Sequence, residues 1–437
     1  MIRAYREHAE FGQFTKVDTD GGRLVGITEG QYREFLPDGF QETRQGIQAV
    51  QGKGARVFTG ETPETHTRFP RRIYFQITRN CNLQCDYCFI KAAKGLAHVP
   101  TSAAMDIAAF LGRHGLVEVR LTGGEPTTHP DFFEILHKFR EEGVYVSVAT
   151  NGVMDRRTLE QLAEEQNLWV ICSVDGNRAT HNRYRRGTFD TIIGNLRYLK
   201  QRNPATRIRL TTVLTRRNKG QMFELARICR SLDAESITVI PLRPQVRNPD
   251  VVGDMVTASE FKQVIEDLVA AKHRLGIRFT TTLGTEYAGE IHRDPVFRKR
   301  SPCAAGREGT NLDYDAARKR FAVYGCSYSP ACDLDASREL RAPFVAGEFD
   351  VDDPCGFLDI WRDEGAWTIF RDLSIKSDEC RDCRYYADHL CVGSCPIQNL
   401  DYTKIDAGGD VLAQLRRRIA QTSEWYCYRA ILGQKVS

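Results

Sequence analysis

Six β-rich runs alternate with segments of helical periodicity from Arg71 to about residue 285, and this alternation limits the fold more than any other feature. The spacing is that of βα units, whose strands are parallel and whose crossovers are right-handed. Ligands of such folds gather at the carboxyl ends of the strands. We therefore predict an α/β fold, a partial (β/α)6 barrel. The predicted strands are Ile73–Thr78, Val117–Thr122, Val144–Thr150, Leu168–Ser173, Arg207–Leu214 and Ser236–Leu242.

The first predicted strand ends in a loop that carries Cys81, Cys85 and Cys88 at C-x3-C-x2-C spacing. Thiolates are the natural ligands of iron-sulfur centres, and three of them leave one iron of a four-iron cluster open to another ligand. Zinc sites normally close with four ligands, and a cysteine that only fills a core needs no such spacing. Zinc and core packing remain alternatives, but the loop favours a cluster.

This loop resembles the signature of radical S-adenosylmethionine (SAM) enzymes. The resemblance implies that the three cysteines hold a 4Fe-4S cluster whose open iron binds SAM. The reduced cluster would then cleave SAM into methionine and a 5'-deoxyadenosyl radical, which abstracts hydrogen from unactivated C–H bonds. A reductant such as flavodoxin or ferredoxin is implied as a partner.

Polar motifs at the following strand ends resemble the SAM site of the same family. Glycines allow close approach of the backbone, a carboxylate can accept a hydrogen bond from an ammonium group, and proline stiffens a turn. Each motif alone could be an ordinary turn or loop. The arginine assignment stays slightly open because Arg183 and Arg186 flank the chosen residue. The resemblance implies these cofactor-binding residues: Tyr87, Gly123, Gly124, Glu125, Pro126, Asn151, Ser173, Asp175 and Arg185.

Nine of the 14 cysteines follow Pro302, in a region poor in regular periodicity. Their C-x2-C-x7-C-x3-C run resembles the SPASM domain, which binds two auxiliary 4Fe-4S clusters. The family commonly has five residues where this chain has seven, and the interval from Cys303 to Cys326 is longer than usual. Loops between ligands tolerate such insertions at small cost. The resemblance implies Cys380, Cys383, Cys391 and Cys427 for the outer cluster, and Cys303, Cys326 and Cys395, with Cys332 or an open position, for the inner one.

One aspartate and three further cysteines of the chain fall outside these cluster assignments. Asp333 is a candidate general base beside the inner cluster, with a solvated loop aspartate as the alternative. Cys172 and Cys229 fall within a strand and a helical pattern, which favours core packing. Cys355 has no assignment. A rubredoxin-like site or a zinc ribbon remains an alternative for the tail, because C-x2-C pairs serve both metals.

The first seventy residues contain no cysteine. Arg23-Leu-Val is β-like, and Thr28-Glu-Gly-Gln31 has the spacing of a helical capping box. A second helix is predicted over Thr43–Val50, before a strand at Ala55–Thr59. This small α+β element looks like the winged-helix-like domain of peptide-modifying radical SAM enzymes, where a leader peptide adds as an extra strand. A plain structural cap is the alternative.

Composition limits the partners. The formal net charge of +4 comes with no basic stripe, which argues against nucleic acid. The sequence has neither an apolar run of transmembrane length nor the apolar core of a secretory signal at its start, which argues against a membrane. Cysteines clustered in one loop and in the last third indicate metal ligation in a reducing cytoplasm.

We predict three domains: an N-terminal element (1–70), a radical SAM core (71–295) and a SPASM domain (296–437). The N-terminal element and the full set of cysteines favour a maturase of a precursor peptide or protein side chain, with an oxidative outcome such as a cross-link. A small-molecule dehydrogenase or epimerase, acting on a sugar or aminocyclitol, is the alternative. A simple iron-sulfur carrier would leave the polar strand ends without a purpose.

Overall fold

The fold is taken from a computed structural model, which contains a ten-stranded sheet and a five-stranded sheet. None of the helices in the described part of the chain combines the length and the hydropathy required to cross a bilayer. The structure describes residues 1–8, 13–18, 23–40, 48–59, 65–244, 246–281, 303–329, 341–383, 386, 393, 395, 397, 405–406 and 408–421.

The large sheet confirms the predicted barrel. Its strand order is β12-β11-β10-β9-β8-β7-β6-β13-β14-β15, and the pairs from β12 to β13 are parallel. All six predicted strands are present, and the short β12 adds a seventh on one side. The bounds are β6 Arg72–Thr78, β7 Glu118–Gly123, β8 Tyr145–Thr150, β9 Trp169–Ser173, β10 Arg207–Leu214, β11 Ser236–Pro241 and β12 Arg278–Thr281.

Helices cover the outer face of this sheet. They are amphipathic, and their apolar stripes join the outward side chains of the strands in one core. The α-helices are α1 Glu29–Arg33, α2 Thr101–Arg113, α3 Phe132–Glu141, α4 Arg156–Glu164, α5 Arg178–Tyr184, α6 Phe189–Arg202, α7 Met222–Ser231, α8 Ala258–Leu275, α9 Gly356–Arg362, α10 Thr368–Arg371, α11 Asp378–Arg381 and α12 Val411–Gln421. The 3-10 helices are Pro126–Thr128, Pro249–Asp254, Ala342–Phe344 and Gly365–Trp367.

The period of two along each strand separates core from cavity. On β6, Ile73 and Phe75 are fully buried in the core under the helices, whereas the alternate residues Tyr74 and Gln76 line the interior of the barrel. Cys172 on β9 belongs to the core set, as predicted, and so does Cys229 on α7. Each strand thus contributes apolar side chains to stability and polar side chains to a site.

The region after Pro302 is more regular than its sequence indicated. Strands β13 (Gly309–Asp315), β14 (Arg320–Tyr324) and β15 (Val345–Asp350) extend the large sheet, with β13 parallel to β6. The predicted core and the predicted C-terminal domain therefore share one sheet. Sequence periodicity missed these strands because they mix charged, small and aromatic residues.

The N-terminal segment forms the five-stranded sheet β3-β2-β1-β5-β4. The predicted capping box of α1 is present: Thr28 Oγ1 accepts from Gln31 N at 3.2 Å, and Gln31 Oε1 accepts from Thr28 N at 2.9 Å. The second predicted helix is wrong over residues 48–50, which belong to a strand paired with β5; residues 43–47 lie outside the described residues. The strands are β1 Ile2–His8, β2 Gln13–Asp18, β3 Arg23–Ile27, β4 Gln48–Gln51 and β5 Arg56–Thr59.

This small sheet packs against the amino end of the barrel. Arg3 is fully buried and donates hydrogen bonds to the carbonyls of Gly112 (2.5 Å), Leu116 (3.3 Å) and Glu142 (3.1 Å), beyond or near the ends of α2 and α3. Cationic side chains are favourable at helix carboxyl ends. Phe58 of β5 packs beside it, with the Arg3 guanidinium 4.5 Å from the ring centroid. The N-terminal sheet therefore closes the end of the barrel opposite the cysteine loop.

Candidate active site

A cavity of about 500 Å³ runs through the interior of the barrel, a size within the range of small-molecule and cofactor sites. Cys81, Cys85 and Cys88 line one end of it, where the parallel strands end. The structure thus brings the cysteine loop to the position expected from the βα topology. Gly123, Gly124, Asn151, Ser173, Arg185 and Tyr87 also line this end.

The three cysteines are free thiols held in a hydrogen-bonded loop. The Cys81 sulfur accepts from the backbone N–H of Leu83 at 3.4 Å and from Nδ2 of Asn151 at 3.9 Å. Burial raises the pKa of Cys81 to about 11, and the neighbouring Cys85 and Cys88 add to the rise. Asn151, predicted to bind the cofactor, therefore also contacts a cysteine of the loop.

The donor set of this loop fits an iron-sulfur cluster. Three free thiols supply three of the four ligands that a 4Fe-4S cluster takes, and the cavity beside them has room for SAM.

The Gly-Gly-Glu-Pro turn is packed tightly against the start of the cysteine loop. A Cβ on Gly123 would lie 2.2 Å from the carbonyl oxygen of Thr78, and one on Gly124 would lie 2.1 Å from that of Asn80. Gly123 also has a φ of +149°. Glycine is required here for the approach of two backbone segments, before any ligand is considered.

Glu125 is fully buried behind this turn. Its Oε1 accepts from the side-chain hydroxyls of Thr127 and Thr150, both at 2.7 Å, and its Oε2 accepts from the backbone N–H of Asn151 at 2.6 Å. Burial raises the pKa of this carboxyl above its usual value, although the hydrogen bonds oppose the rise. Glu125 and Pro126 are not among the cavity-lining residues. The carboxylate joins two strand ends, and its predicted contact with the cofactor stays a prediction.

Asp175, Arg185 and Tyr87 form a buried polar group beside Cys85. Arg185 Nε donates to Asp175 Oδ2 at 2.5 Å, and the Tyr87 hydroxyl donates to the same oxygen. The Arg185 guanidinium lies 5.3 Å from the centroid of the Tyr87 ring. Burial raises the pKa of Asp175, but Arg185 and the hydrogen bonds outweigh it, so the net shift is downward. Asp175 therefore holds Arg185 in position, while Arg185 and Tyr87 face the cavity.

The neighbouring arginines do not compete for this position. Arg183 is exposed, and Arg186 is exposed and pairs with Asp86 at 2.7 Å. Arg185 is 7% exposed and lines the cavity. Of the three arginines, Arg185 is therefore the one that lines the cavity, and its contact with the cofactor stays a prediction.

Three of the C-terminal cysteines influence one another electrostatically. Burial raises the pKa of Cys326 to about 12, and Cys303 and Cys395 add to the rise. Arg243, which opposes it, stacks on Tyr328, with its guanidinium 3.7 Å from the ring centroid. The ring centroids of Tyr328 and of Phe89, which follows Cys88, are 4.9 Å apart. The contact between Tyr328 and Phe89 therefore connects the surroundings of Cys326 to the first cysteine loop.

The remaining predicted residues are only partly described. Cys380 and Cys383 lie at α11, where the backbone N–H of Cys383 donates to the carbonyl of Cys380 at 3.2 Å. Cys355 is exposed at the start of α9. Cys332, Asp333, Cys391 and Cys427 lie outside the described residues.

Sequence reasoning missed several polar side chains that line the cavity. Those on the strands lie at inward positions, in alternation with core residues, and that alternation was a readable signal once the barrel was predicted. They include Arg72, Tyr74, Gln76, Arg120, Arg209 and Asn311. Arg243 and Tyr328, which follow β11 and the hairpin of β13 and β14 and lie near the cysteine loop, were also missed.

The radical SAM superfamily model matches residues 75–228, which run from the first barrel strand through the cysteine loop to α7. The chain contains a radical SAM domain. A domain of this family implies a 4Fe-4S cluster and SAM, and residues 75–228 include the three-cysteine loop and the strand ends that line the cavity.

Relatives of this radical SAM protein support the same fold. The mycofactocin maturase MftC of Mycobacterium tuberculosis is 27% identical over 332 residues, covering 75% of this chain and 78% of the relative. An AdoMet-dependent heme synthase of Methanosarcina barkeri is 24% identical over 349 residues, covering 75% and 91%. Streptococcus suis SuiB, solved with its precursor peptide SuiA, has a TM-score of 0.61 at 17% identity, covering 76% and 73%.

Proposed function

We propose that this radical SAM protein is a maturase that modifies a ribosomally made peptide. The observation that carries the proposal is the three-cysteine loop placed at one end of a barrel cavity of about 500 Å³. The similarity to MftC, over about three quarters of both chains, supports the assignment to peptide maturases.

Each residue at the carboxyl end then has a role. Cys81, Cys85 and Cys88 hold the cluster, which when bound supplies the electron for reductive cleavage of SAM to the 5'-deoxyadenosyl radical. Arg185, fixed by Asp175, orients the SAM carboxylate. Two further roles are predicted from position: Ser173 contacts the ribose, and the turn of Gly123 and Gly124 contacts the amino group.

We further propose two auxiliary clusters in the C-terminal region. Cys303, Cys326 and Cys395 would hold the inner one, which is supported by the electrostatic influence of Cys303 and Cys395 on Cys326. Arg243 and Tyr328 separate this group from the first loop and line the substrate cavity. Cys332 remains the candidate for the fourth ligand of the inner cluster. Cys380, Cys383, Cys391 and Cys427 remain the candidates for the outer cluster.

A proton must leave the substrate in a desaturation or cross-link. The described residues that line the cavity include no Asp or Glu. Asp333 therefore stays the candidate general base, on the segment that follows Ser329. An Asp333→Asn variant that retains full product formation would contradict this role.

The N-terminal sheet offers an edge for a leader peptide. In the described part of the chain, β3 pairs with β2 alone, which leaves its other edge open. Val25 on this strand is 43% exposed, an unusual position for a large apolar side chain. An exposed strand edge with an apolar side chain suits the addition of an extended peptide.

The test is anaerobic co-expression with the short reading frame beside the gene, followed by tandem mass spectrometry of the peptide. We expect the loss of two hydrogens, localised to a pair of residues. An unaltered mass without deuterium uptake from heavy water would contradict the proposal.

One observation favours a small-molecule substrate instead, namely the similarity to AdoMet-dependent heme synthase over 91% of that relative. It points to a tetrapyrrole rather than to the sugar or aminocyclitol expected from the sequence. Incubation of the reconstituted protein with iron-coproporphyrin III, SAM and dithionite distinguishes the two, because a peptide maturase leaves the porphyrin mass unchanged.

A further inference from the structure

The barrel cavity is strongly cationic. Among its described lining residues there is no Asp, Glu, Lys or His, but there are arginines from five separate segments of the chain. Interior charges of one sign require an opposite charge nearby, because the effective dielectric constant inside a protein is low. The five are Arg72, Arg120, Arg185, Arg209 and Arg243.

Carboxylates behind the cavity wall neutralise only part of this charge. Arg185 pairs with Asp175 at 2.5 Å. Arg72 and Arg120 share one carboxylate, Glu118, at 2.5 and 3.4 Å. The amino end therefore has an excess of positive charge before Arg209 is counted.

Arg209 has no carboxylate within ion-pair distance among the described residues. Its Nε donates to Ser236 Oγ at 3.0 Å, and its guanidinium lies 4.1 Å from the ring centroid of Trp169. Burial, followed by the guanidiniums of Arg120 and Arg72, lowers the pKa of Arg209 to about 10. The side chain is therefore charged at neutral pH and oriented by a ring and a hydroxyl rather than by an anion.

Uncharged polar groups converge on the same end. Strand register places Asn311, Tyr74 and Arg120 directly opposite one another on β13, β6 and β7. Asn311 is fully buried, and neither its Oδ1 nor its Nδ2 has a hydrogen-bond partner within the protein. Oε1 of the nearly buried Gln76 is likewise unpartnered. Buried amides are normally satisfied, so these groups indicate a ligand that the cavity is built to receive.

We infer that Arg209 and Arg120, with the amide of Asn311, form a carboxylate-binding subsite at the amino end of the cavity, the end away from the cysteine loop. The substrate would anchor a carboxylate there and direct its reacting carbon toward the cysteines. Four residues of β10 separate Arg209 from Val213 at the other end, or about 13 Å of extended strand. The inference rests on the proposed function, because it describes what the substrate of this cavity must carry.

Two kinds of molecule supply such a carboxylate: a peptide with a free C-terminus, and a tetrapyrrole with propionate groups. Guanidinium binds either through paired charge-assisted hydrogen bonds. The test uses reconstituted full-length protein with SAM and two fluorescent probes. One is dansyl-Gly-Gly-Leu-Phe, as the free acid and as the C-terminal amide; the other is coproporphyrin III.

We expect the wild-type protein to bind at least one carboxylate probe, and Arg209→Met to bind it about 10- to 100-fold more weakly, the loss of one charge-assisted contact. Arg209→Lys should retain part of the affinity. Arg278→Met is the matched control, because Arg278 lies on β12, two strands from Arg209 in the same sheet, but is absent from the cavity lining and should leave binding unchanged. Thermal unfolding by circular dichroism verifies that each variant is folded.

If the peptide acid binds more tightly than both its amide and coproporphyrin III, the carboxylate comes from a peptide. If coproporphyrin III binds more tightly than the peptide acid, the carboxylate comes from a tetrapyrrole. Equal binding of acid and amide, with no dependence of porphyrin binding on Arg209, would overturn the inference, and so would the absence of binding to every probe. Because binding is measured without turnover, these outcomes stay separate from a failure of the co-expression experiment.

Discussion

The two ends of the barrel cavity are encoded in different ways. At the carboxyl end, Cys81, Cys85 and Cys88 lie within eight consecutive residues, and the other contacts follow directly at strand ends. At the amino end, Arg120 and Arg209 lie on β7 and β10, which are far apart in sequence and are separated in the sheet by β8 and β9, yet both side chains line the same cavity. The residues assigned to the reaction chemistry are thus clustered in the sequence, whereas the cationic residues of the other end are not.

The ends also differ in electrostatics. Glu125 at the carboxyl end and Glu118 at the amino end are both buried, and burial alone would raise the pKa of each. For Glu125 the net shift is upward, because burial outweighs the opposing hydrogen bonds from neutral donors. For Glu118, Arg72 and Arg120 outweigh burial and the net shift is downward. The Glu125 carboxylate connects two strand ends through hydrogen bonds, whereas the Glu118 carboxylate is the counter-ion of two arginines.

The largest expected effect is at the carboxyl end. Cys81→Ala should abolish 5'-deoxyadenosine formation and lower the iron content, because a cluster with a missing thiolate is not retained. Chromatography of SAM products and iron analysis measure both. Cys355→Ala is the matched control, since Cys355 is exposed and outside the cavity, and it should behave as wild type. Persisting turnover in Cys81→Ala would refute the cluster assignment.

At the amino end, we expect Glu118→Gln to lower the free energy of unfolding by about 3 kcal/mol at pH 7, because it leaves the largely buried guanidinium of Arg120 and the partly exposed one of Arg72 without their counter-ion. The folded pKa of Glu118 lies below its ordinary value of 4.5, so the stabilisation is complete above that pH and is lost as the pH falls through the lower folded pKa. The difference between the two proteins should therefore shrink below about pH 4.

Urea denaturation at pH 7, 5 and 3.5 measures this difference. The matched control is Glu160→Gln, which removes a surface ion pair with Arg156 and should change stability by about 0.5 kcal/mol or less. A difference that does not vary with pH would show that Glu118 is not the counter-ion of the arginines.

The smallest expected effect is on the outer surface of the N-terminal sheet. Val25→Asp should weaken binding of the precursor peptide by about tenfold, because it places a charge where an apolar contact is expected. Gln51→Asp, on the opposite edge strand β4, is the control. Fluorescence anisotropy with the labelled peptide measures both. Equal affinity in the two variants would favour the alternative that this element is a structural cap.

Most of the barrel and its carboxyl end could be predicted from the sequence. The six strands, the capping box of α1 and the core positions of Cys172 and Cys229 depend on local periodicity and spacing, which the structure preserves. The helix predicted over Thr43–Val50 was wrong at residues 48–50, since pairing with β5 determines their conformation. Strands β13 to β15 were missed because their mixture of charged, small and aromatic residues has no clear period, and because β13 pairs with β6, which is distant in sequence.

The sequence by itself determined the radical SAM chemistry, because three cysteines in one short loop need no distant partner to specify a cluster. Only the tertiary structure decided that Asp175 orients Arg185, that Glu125 braces two strand ends, and that the far end of the cavity is cationic. The cationic end arises because parallel strands from distant segments direct inward side chains into one cavity. The contacts of Asp175 and Glu125 arise from the packing of loops beyond the strand ends. No local sequence pattern records either arrangement.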